Sequence, residues 1–442
     1  MWGKEKTYSF LENLLKKLPF ERKEIVLLIS SIELTRFANN IIHQNVAEEN
    51  LSIYIRVGEG KKKVMASISK IDEESINNLI CSLNLIIKNQ PEGEELILPE
   101  KKIYPDIKNE IFIPSPEKRG RIVKDIIRKG ESKNLNTYGS IKEEIDELSI
   151  INSYGLFAYG TFSYAHGKTM YISDSSSGYQ EYAGKDLDSI DFEYLSEIAL
   201  KKCLEGRNPE DLEPGKYTVI LEPLAVAEIM EQVSYFGFSA KAVQEKRSFL
   251  SLYQEQRIFS PLVNIYDDGL DPKGIIIPFD FEGVPKKHVD LVKEGVVLGP
   301  VYDTETAIKE GKESTGHATL PTDSNGPLPT NLFFLPGDKK LEDLISSLEK
   351  GILVTRFHYV NSFLDPINIL ATGMTRDGTF LIENGKIKKP VKNLRFTQSF
   401  VEALKNIEAV SSENVIVPFL YGFCSVPGLK IKEFNFTGVT EF

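Results

Sequence analysis

Apolar and polar residues alternate or recur along this chain in ways that mark out its elements. In the run DGTFLIENGKIKKPVKNLRFTQSFVEALKNIEAV, from Asp377 to Val410, the dipeptides Asp377-Gly378 and Asn384-Gly385 accept positive φ at both turn positions. Each is expected to close a hairpin, making the segment a β-meander. Thr397 is placed to cap the helix that follows, with Phe400, Val401, Leu404 and Ile407 on one face. Upstream, strands are predicted over 25–30, 51–57 and 64–69, and a helix over 73–88 carries Ile76, Leu79, Ile80, Leu83 and Ile87 at helical spacing. The stretch from Gln90 to Pro105 reads as a linker. Ser115 followed by Pro116 starts a helix with Ile122, Val123, Ile126 and Ile127 inward and Gly130 as its stop. A second strand group is predicted over 148–153, 156–162 and 169–173, followed by a helix over 192–204.

The predicted class is α+β: N-terminal domains built as α/β-sandwiches with mixed sheets, followed by a β-rich C-terminal domain. The expected divisions are 1–100, 106–212 and 214–442. The middle unit echoes the first, since Asn39-Asn40 and Asn152-Ser153 each lie between strands and Gly60-Lys61 and Gly167-Lys168 each precede one, so a duplication is expected. Within the last unit, a capped helix over 338–350 should stop at Gly351, and 269–337 should form ordered surface loops.

Several blocks resemble the TldD/PmbA family, zinc-dependent peptidases once described as modulators of DNA gyrase. The meander carries the resemblance, and so do Thr35 to Asn45 (TRFANNIIHQN), Asn152-Ser153-Tyr154-Gly155, Pro214-Gly215-Lys216-Tyr217, Thr330-Asn331 and Gly351-Ile352-Leu353-Val354, in that family's order. Together they span roughly residues 30 to 440.

Composition narrows the function. At 442 residues the chain exceeds one ordinary core, and a hydrophobic share of 41% supports folding throughout. A net charge of −11 argues against a phosphate-binding surface, so neither nucleic acid nor gyrase is an expected partner. Cys81, Cys203 and Cys424 are widely separated, which suits a reducing compartment. The amino terminus lacks a signal peptide's apolar stretch and no run approaches a membrane span, so a cytoplasmic location without membrane attachment is expected.

The chemistry turns on one helix. The resemblance implies His-Glu-x-x-x-His early in the last domain, two imidazoles for zinc and a glutamate to activate its water. Here that helix opens at Glu222-Pro223, and aligning on Ser248-Phe249-Leu250 and Asp267-Asp268-Gly269 puts Glu231 and Phe236 in the histidine places and Gln232 in the glutamate place. No histidine occurs from Tyr217 to Arg257. Phenylalanine has no lone pair to give, and glutamine cannot take a proton from a metal-bound water. No catalytic residue and no metal or other cofactor is therefore expected in this chain. Glu228 and Glu231 leave a carboxylate pair on one helical face, opposite the stripe of Val226, Ile229, Met230, Val233 and Phe236. His317, His358 and Cys424 are the alternative ligands elsewhere, while His43 belongs to the N-terminal motif, where it is expected to orient a turn.

The resemblance then implies a non-catalytic subunit of the TldE/PmbA kind, pairing as a heterodimer with a zinc-bearing TldD-like partner, or as a homodimer when isolated, to cleave unfolded or flexible peptides. Two alternatives are a metallopeptidase with a rearranged site of its own and a peptide-binding scaffold without protease function.

Overall fold

The computed structural model describes residues 1–104 and 111–440; Pro105 and the expected domain start at 106 lie outside the described residues. The first half runs α1 (Lys4–Lys17), β1 (Arg22–Ala38), β2 (Ile41–Glu59), β3 (Lys62–Ile68), α2 (Glu73–Asn89), α3 (Pro116–Glu131), β4 (Asn136–Asn152), β5 (Phe157–Ile172), β6 (Ser177–Gly184) and α4 (Phe192–Glu205). Its strands form one antiparallel sheet in the order β3-β2-β1-β4-β5-β6. The sequence helix, three strands, helix thus occurs twice, and the two copies meet in the central β1–β4 pair, where Glu24 faces Asn152 and Phe37 faces Gly139.

Strand periodicity decides what each face meets. Ile25, Leu27, Ile29 and Phe37 of β1 pack with residues of the helices, whereas Val26, Leu148 and Ile150 join Phe279 from the C-terminal half. Both faces of the central strands are buried, which explains the unbroken apolar run Ile25 to Ile29.

The second half runs β7 (Gly215–Leu221), α5 (Pro223–Gly237), α6 (Ala240–Gln244), α7 (Leu250–Tyr253), β8 (Ile265–Asp267), β9 (Val289–Lys293), β10 (Val296–Val297), α8 (Thr304–Lys309), β11 (Asn331–Phe334), α9 (Leu341–Ser346), β12 (Lys350–Asn361), β13 (Leu370–Glu383), β14 (Lys386–Pro390), β15 (Leu394–Ser399), α10 (Phe400–Lys405), β16 (Ile407–Val410), β17 (Val415–Phe419), β18 (Gly422–Val426) and β19 (Leu429–Val439). Strand β12 pairs with both β7 and β13, and the path β7-β19-β15-β13 closes a five-stranded barrel. Phe357, Phe396 and Phe434, from three of its strands and fully buried, meet with ring centroids 4.7 to 5.5 Å apart. Beside the barrel lies the sheet β10-β9-β8-β11-β18-β17. Parallel pairing enters in these two C-terminal sheets, as β12–β7 and β11–β18. The whole is an α+β fold. Among the described residues no helix is long and apolar enough to cross a membrane.

Some sequence expectations are corrected by tertiary context. Asn384-Gly385 turns β13 into β14, but Asp377-Gly378 does not close a hairpin. Their φ values of 56° and 134° form a bulge within continuous β13, facing continuous β12 where the register shifts between Val354 and Arg356. A Cβ on Gly378 would stand 2.5 Å from Thr355 Oγ1, so glycine is required where the bulge approaches β12. Thr397 lies in β15 and Ser399 caps α10, accepting from the Glu402 amide at 3.2 Å. Gly167-Lys168 lies inside β5, with Phe192 packed against Gly167; the turn is at 173–176, and β6 follows it. The helix over 338–350 shortens to α9, because Lys350 and Gly351 are already paired with β13.

Charge crosses the seam between the halves. Arg56 donates from Nε to Glu24 at 2.8 Å and reaches Glu282 of the C-terminal half at 3.2 Å. One guanidinium serves two buried carboxylates, and burial, outweighing Arg56, pushes Glu24 up to about 7. Burial likewise lifts Asp146, aided by Glu144, and Asp280, aided by Glu282, to about 7. Acids raised in the folded state hold protons that the unfolded chain releases between pH 3.8 and 4.5. Their stabilising contribution is complete below that and is lost as pH rises through about 7. The unfolding free energy should therefore fall between pH 5 and 7.5, by about 2 kcal/mol or more, as read by urea denaturation. Arg56→Met, stranding both carboxylates, should cost about 3–5 kcal/mol at pH 7.5.

Candidate functional site

Helix α5 begins at Pro223, whose fixed φ and missing N–H suit the first helical position, and Glu222 at its mouth is paired with Lys202 of α4. One side is core: Val226, Ile229, Met230, Val233 and Phe236 are all buried, Phe236 at 3% exposure. The other side presents Glu228, Glu231, Gln232 and Tyr235, each half-buried. These face β18, the β17–β18 turn, β12 and β6.

The contacts follow from those neighbours. The backbone N–H of Leu420 favours the ionised form of Glu231, yet burial raises its carboxyl. Burial, reinforced by Glu231 and opposed by Arg356, lifts Glu228 to about 7. Cys424 of β18 is 1% exposed, and burial together with Glu231 and Glu228 pushes its thiol far up. Tyr235 donates to Asn325 Oδ1 at 2.8 Å and stacks on Tyr421 with centroids 6.1 Å apart. Phe363, 66% exposed in the loop between β12 and β13, contacts Phe236 at 5.2 Å.

From the first sheet, β6 brings Tyr179 and Glu181. Glu181 lies 2.6 Å from His166 Nε2 and accepts from the Tyr179 hydroxyl. Burial opposes its ionisation, yet His166 and Tyr179 hold the carboxyl below its ordinary range. Arg356 lies 4.3 Å from the Tyr179 ring centroid and donates from Nε to Asp377 at 2.6 Å, while Ser177 donates to the other Asp377 oxygen. The bulge at Asp377 thus supplies the carboxylate that orients Arg356 toward α5. None of Glu181, His166, Tyr179 or Arg356 is singled out by the sequence, because they lie on three strands, β5, β6 and β12, that only the fold brings together. The alternating Tyr164, His166 and Tyr179, Glu181 were the available signal.

The remaining sequence candidates are elsewhere engaged. His317 is fully buried, with Nε2 2.7 Å from Asp267 and Nδ1 2.9 Å from Thr315 Oγ1, so both ring nitrogens are taken. Burial and Lys286 lower its pKa. His358 on β12 is lowered by burial and by Arg376 and Arg356. His43 is exposed on β2, close to the Asn39-Asn40 turn, and exposed His288 stacks on Tyr266.

Whether a zinc ion suits this donor set can be judged from its chemistry. Zinc prefers imidazole and thiolate. Here the thiol is held protonated, Phe236 is a core residue, and no imidazole comes from α5. Among the described residues no three His, Cys, Asp or Glu side chains are grouped to hold a metal. The residues present do not fit zinc. The arrangement offers instead Glu228, lifted to about 7, and Glu231, raised by burial, beside one oriented guanidinium.

Residues 214–438 match the family model for the PmbA/TldA metallopeptidase C-terminal domain. A "Metalloprotease TldD homolog" of Haemophilus influenzae is 31% identical over 40% of this chain and 36% of its own length, so the match spans about a third of that protein. A protein of the same description from Buchnera aphidicola is 23% identical over 85% of this chain and 82% of its own. The crystal structure of TldE from Thermococcus kodakarensis superposes with a TM-score of 0.87 at 23% identity, covering 97% of this chain and 100% of that one, and shares its fold.

Thiol burial makes a direct prediction. Of the free cysteines, Cys81 is exposed while Cys203 and Cys424 are buried, and burial raises both buried thiols. A thiol-reactive disulfide reagent at pH 8 should titrate Cys81 rapidly and the other two only after denaturation. Fast modification of Cys424 would contradict the placement of β18 against α5.

Proposed function

The chain belongs to the PmbA/TldD metallopeptidase family, and on that footing we propose that it is a non-catalytic, TldE/PmbA-like subunit of a cytoplasmic two-chain metallopeptidase acting on unfolded or flexible peptides. The observation that carries this reading is α5. Glu231, Gln232 and Phe236 stand where the family motif calls for histidine, glutamate and histidine, and Phe236 is committed to the hydrophobic core. Zinc and its activated water would then belong to a TldD-like partner.

Two surface features support a partner and an extended substrate. Tyr359, Phe363, Leu364 and Leu420 are each at least 66% exposed, and Phe363 adjoins α5. Exposed large apolar side chains, two of them, Phe363 and Leu420, beside α5, mark a surface suited to another chain. In the first sheet, β2 pairs with β1 from Ile41 onward, whereas β3 covers β2 only from Ile53 to Glu59. The stretch from Ile41 to Ser52 is therefore an open edge, the kind of backbone an extended strand can join without regard to its side chains.

The test is co-expression with a TldD-like chain from the same genome. The two chains should co-elute, cleave an unstructured peptide in a chelator-sensitive way, and carry zinc in the partner. Phe363→Asp with Leu420→Asp should weaken the complex about thirty-fold or more, the scale of a lost interface hot spot. Stoichiometric zinc and peptide cleavage by this chain alone would overturn the reading.

A further inference from the structure

We propose that the recess between the first sheet and the C-terminal half binds a small zwitterion carrying an apolar group, such as an amino acid or dipeptide. The recess has a volume of about 460 Å³ and is walled by the even-numbered face of β1 and β4, by β5, by Ile277 to Phe281 and by the turn Pro418 to Phe423. That size suits a small organic molecule, since such pockets run from about 300 to 1,000 Å³.

Its polar groups form two opposite poles. Asp146 is 7% exposed, and one of its oxygens accepts from Ser30. Two residues along the same strand, Glu144 accepts from Lys142 at 2.6 Å and from the Tyr164 hydroxyl at 2.5 Å. Lys142 is thus spent on Glu144, and Asp146 has no cation of its own. At the other pole Lys286 is 5% exposed, and its ammonium donates to Thr330 Oγ1 at 2.6 Å. An ammonium has three donors, so among the described residues two are left over. Neighbouring Asp267 already accepts from His317 and from the amides of Thr330 and Asn331. Asp280 is taken by the amides of Glu282, Val284 and Ala318.

A buried carboxylate and a buried ammonium with unused hydrogen-bonding capacity are costly in an apolar surrounding. A ligand bearing both an ammonium and a carboxylate supplies what each lacks. Phe162, Phe279, Phe281, Phe419 and Phe423 line the same space and would receive its apolar side chain. An inorganic ion would satisfy one pole and leave the aromatic walls unfilled. This assignment does not depend on the subunit reading, because every group belongs to this chain.

The experiment is calorimetric titration of the purified full chain with the dipeptide Leu-Phe, with its N-acetyl form and with its C-terminal amide. Leu-Phe should bind saturably at one site, and capping either end should weaken binding about ten-fold or more, the scale of a lost charged hydrogen bond. Asp146→Asn, which keeps the Ser30 contact, should weaken Leu-Phe similarly while leaving the acetylated form unchanged. Leu28→Trp, filling the recess, should abolish binding in protein whose circular dichroism is unaltered. No saturable binding up to about 10 mM, equal binding of the capped forms, or indifference to Asp146→Asn would each overturn the proposal. The capped ligands test it on unaltered protein should the tryptophan variant fail to fold.

Discussion

The architecture depends on Arg56, a single guanidinium on β2 that holds Glu24 of the first sheet and Glu282 of the C-terminal half at once. Apolar contacts alone could let the two halves slide, because they tolerate many relative positions. A buried charge cannot slide, since leaving either carboxylate unpaired costs several kcal/mol. The same seam is keyed by shape: Phe279 packs against Gly160, where a Cβ would stand 3.0 Å from its ring, and Gly283 sits beneath Leu156. At the far end Ser177 bonds Asp377, and Arg356 covers the Tyr179 ring. Paired charges fix direction and the glycines fix distance, so the halves meet in one arrangement. The recess and the α5 face both lie along this junction and inherit its geometry.

The barrel explains why α5 is a scaffold as well as a candidate site. Strand β7 alternates Val219 and Leu221 toward the main core with Ile220 toward a smaller one beneath α9. The chain leaves β7 at Leu221 and enters α5 at once, so the helix is held to the barrel with no slack. Its apolar stripe then belongs to the same core as Phe357, Phe396 and Phe434. Phe236 is part of that commitment. Exchanging it for a ligand would remove a buried aromatic ring, a change that costs about 3–5 kcal/mol when the ring is truncated. Packing therefore disfavours a metal ligand at position 236.

Elements with a strong period were readable from sequence, and those fixed by distant partners were not. Pro116 after Ser115 and the amphipathic stripe of α2 mark helices through local chemistry, and both helices form where expected. The strands β1, β2, β4 and β5 run to between 16 and 19 residues, much longer than predicted, because β-pairing persists through polar stretches whose partners are remote in sequence. Asp377-Gly378 satisfies the local rule for a hairpin yet serves as a bulge, since β12 runs unbroken opposite it. The site divides in the same way. Glu228, Glu231 and Phe236 were identifiable because one helix carries them. His166, Glu181, Arg356 and Asp377 come together only when β5, β6, β12 and β13 are assembled.

Glu228 and Glu231 pose the remaining energetic question. Burial keeps both from ionising freely, and the nearest cation, Arg356, is already bound to Asp377. In isolation this face carries a cost that local structure does not relieve, much as Asp146 does in the recess. Groups of that kind either weaken a fold or are stabilised by what docks on them. The adjoining Phe363 and Leu420 are open to solvent, so a covering chain would gain apolar burial there while bringing cationic or hydrogen-bonding groups to the carboxylates. In the two-chain reading, the helix that has no motif histidines still contributes, by offering an acidic, aromatic-edged face whose own free energy improves when a partner closes over it.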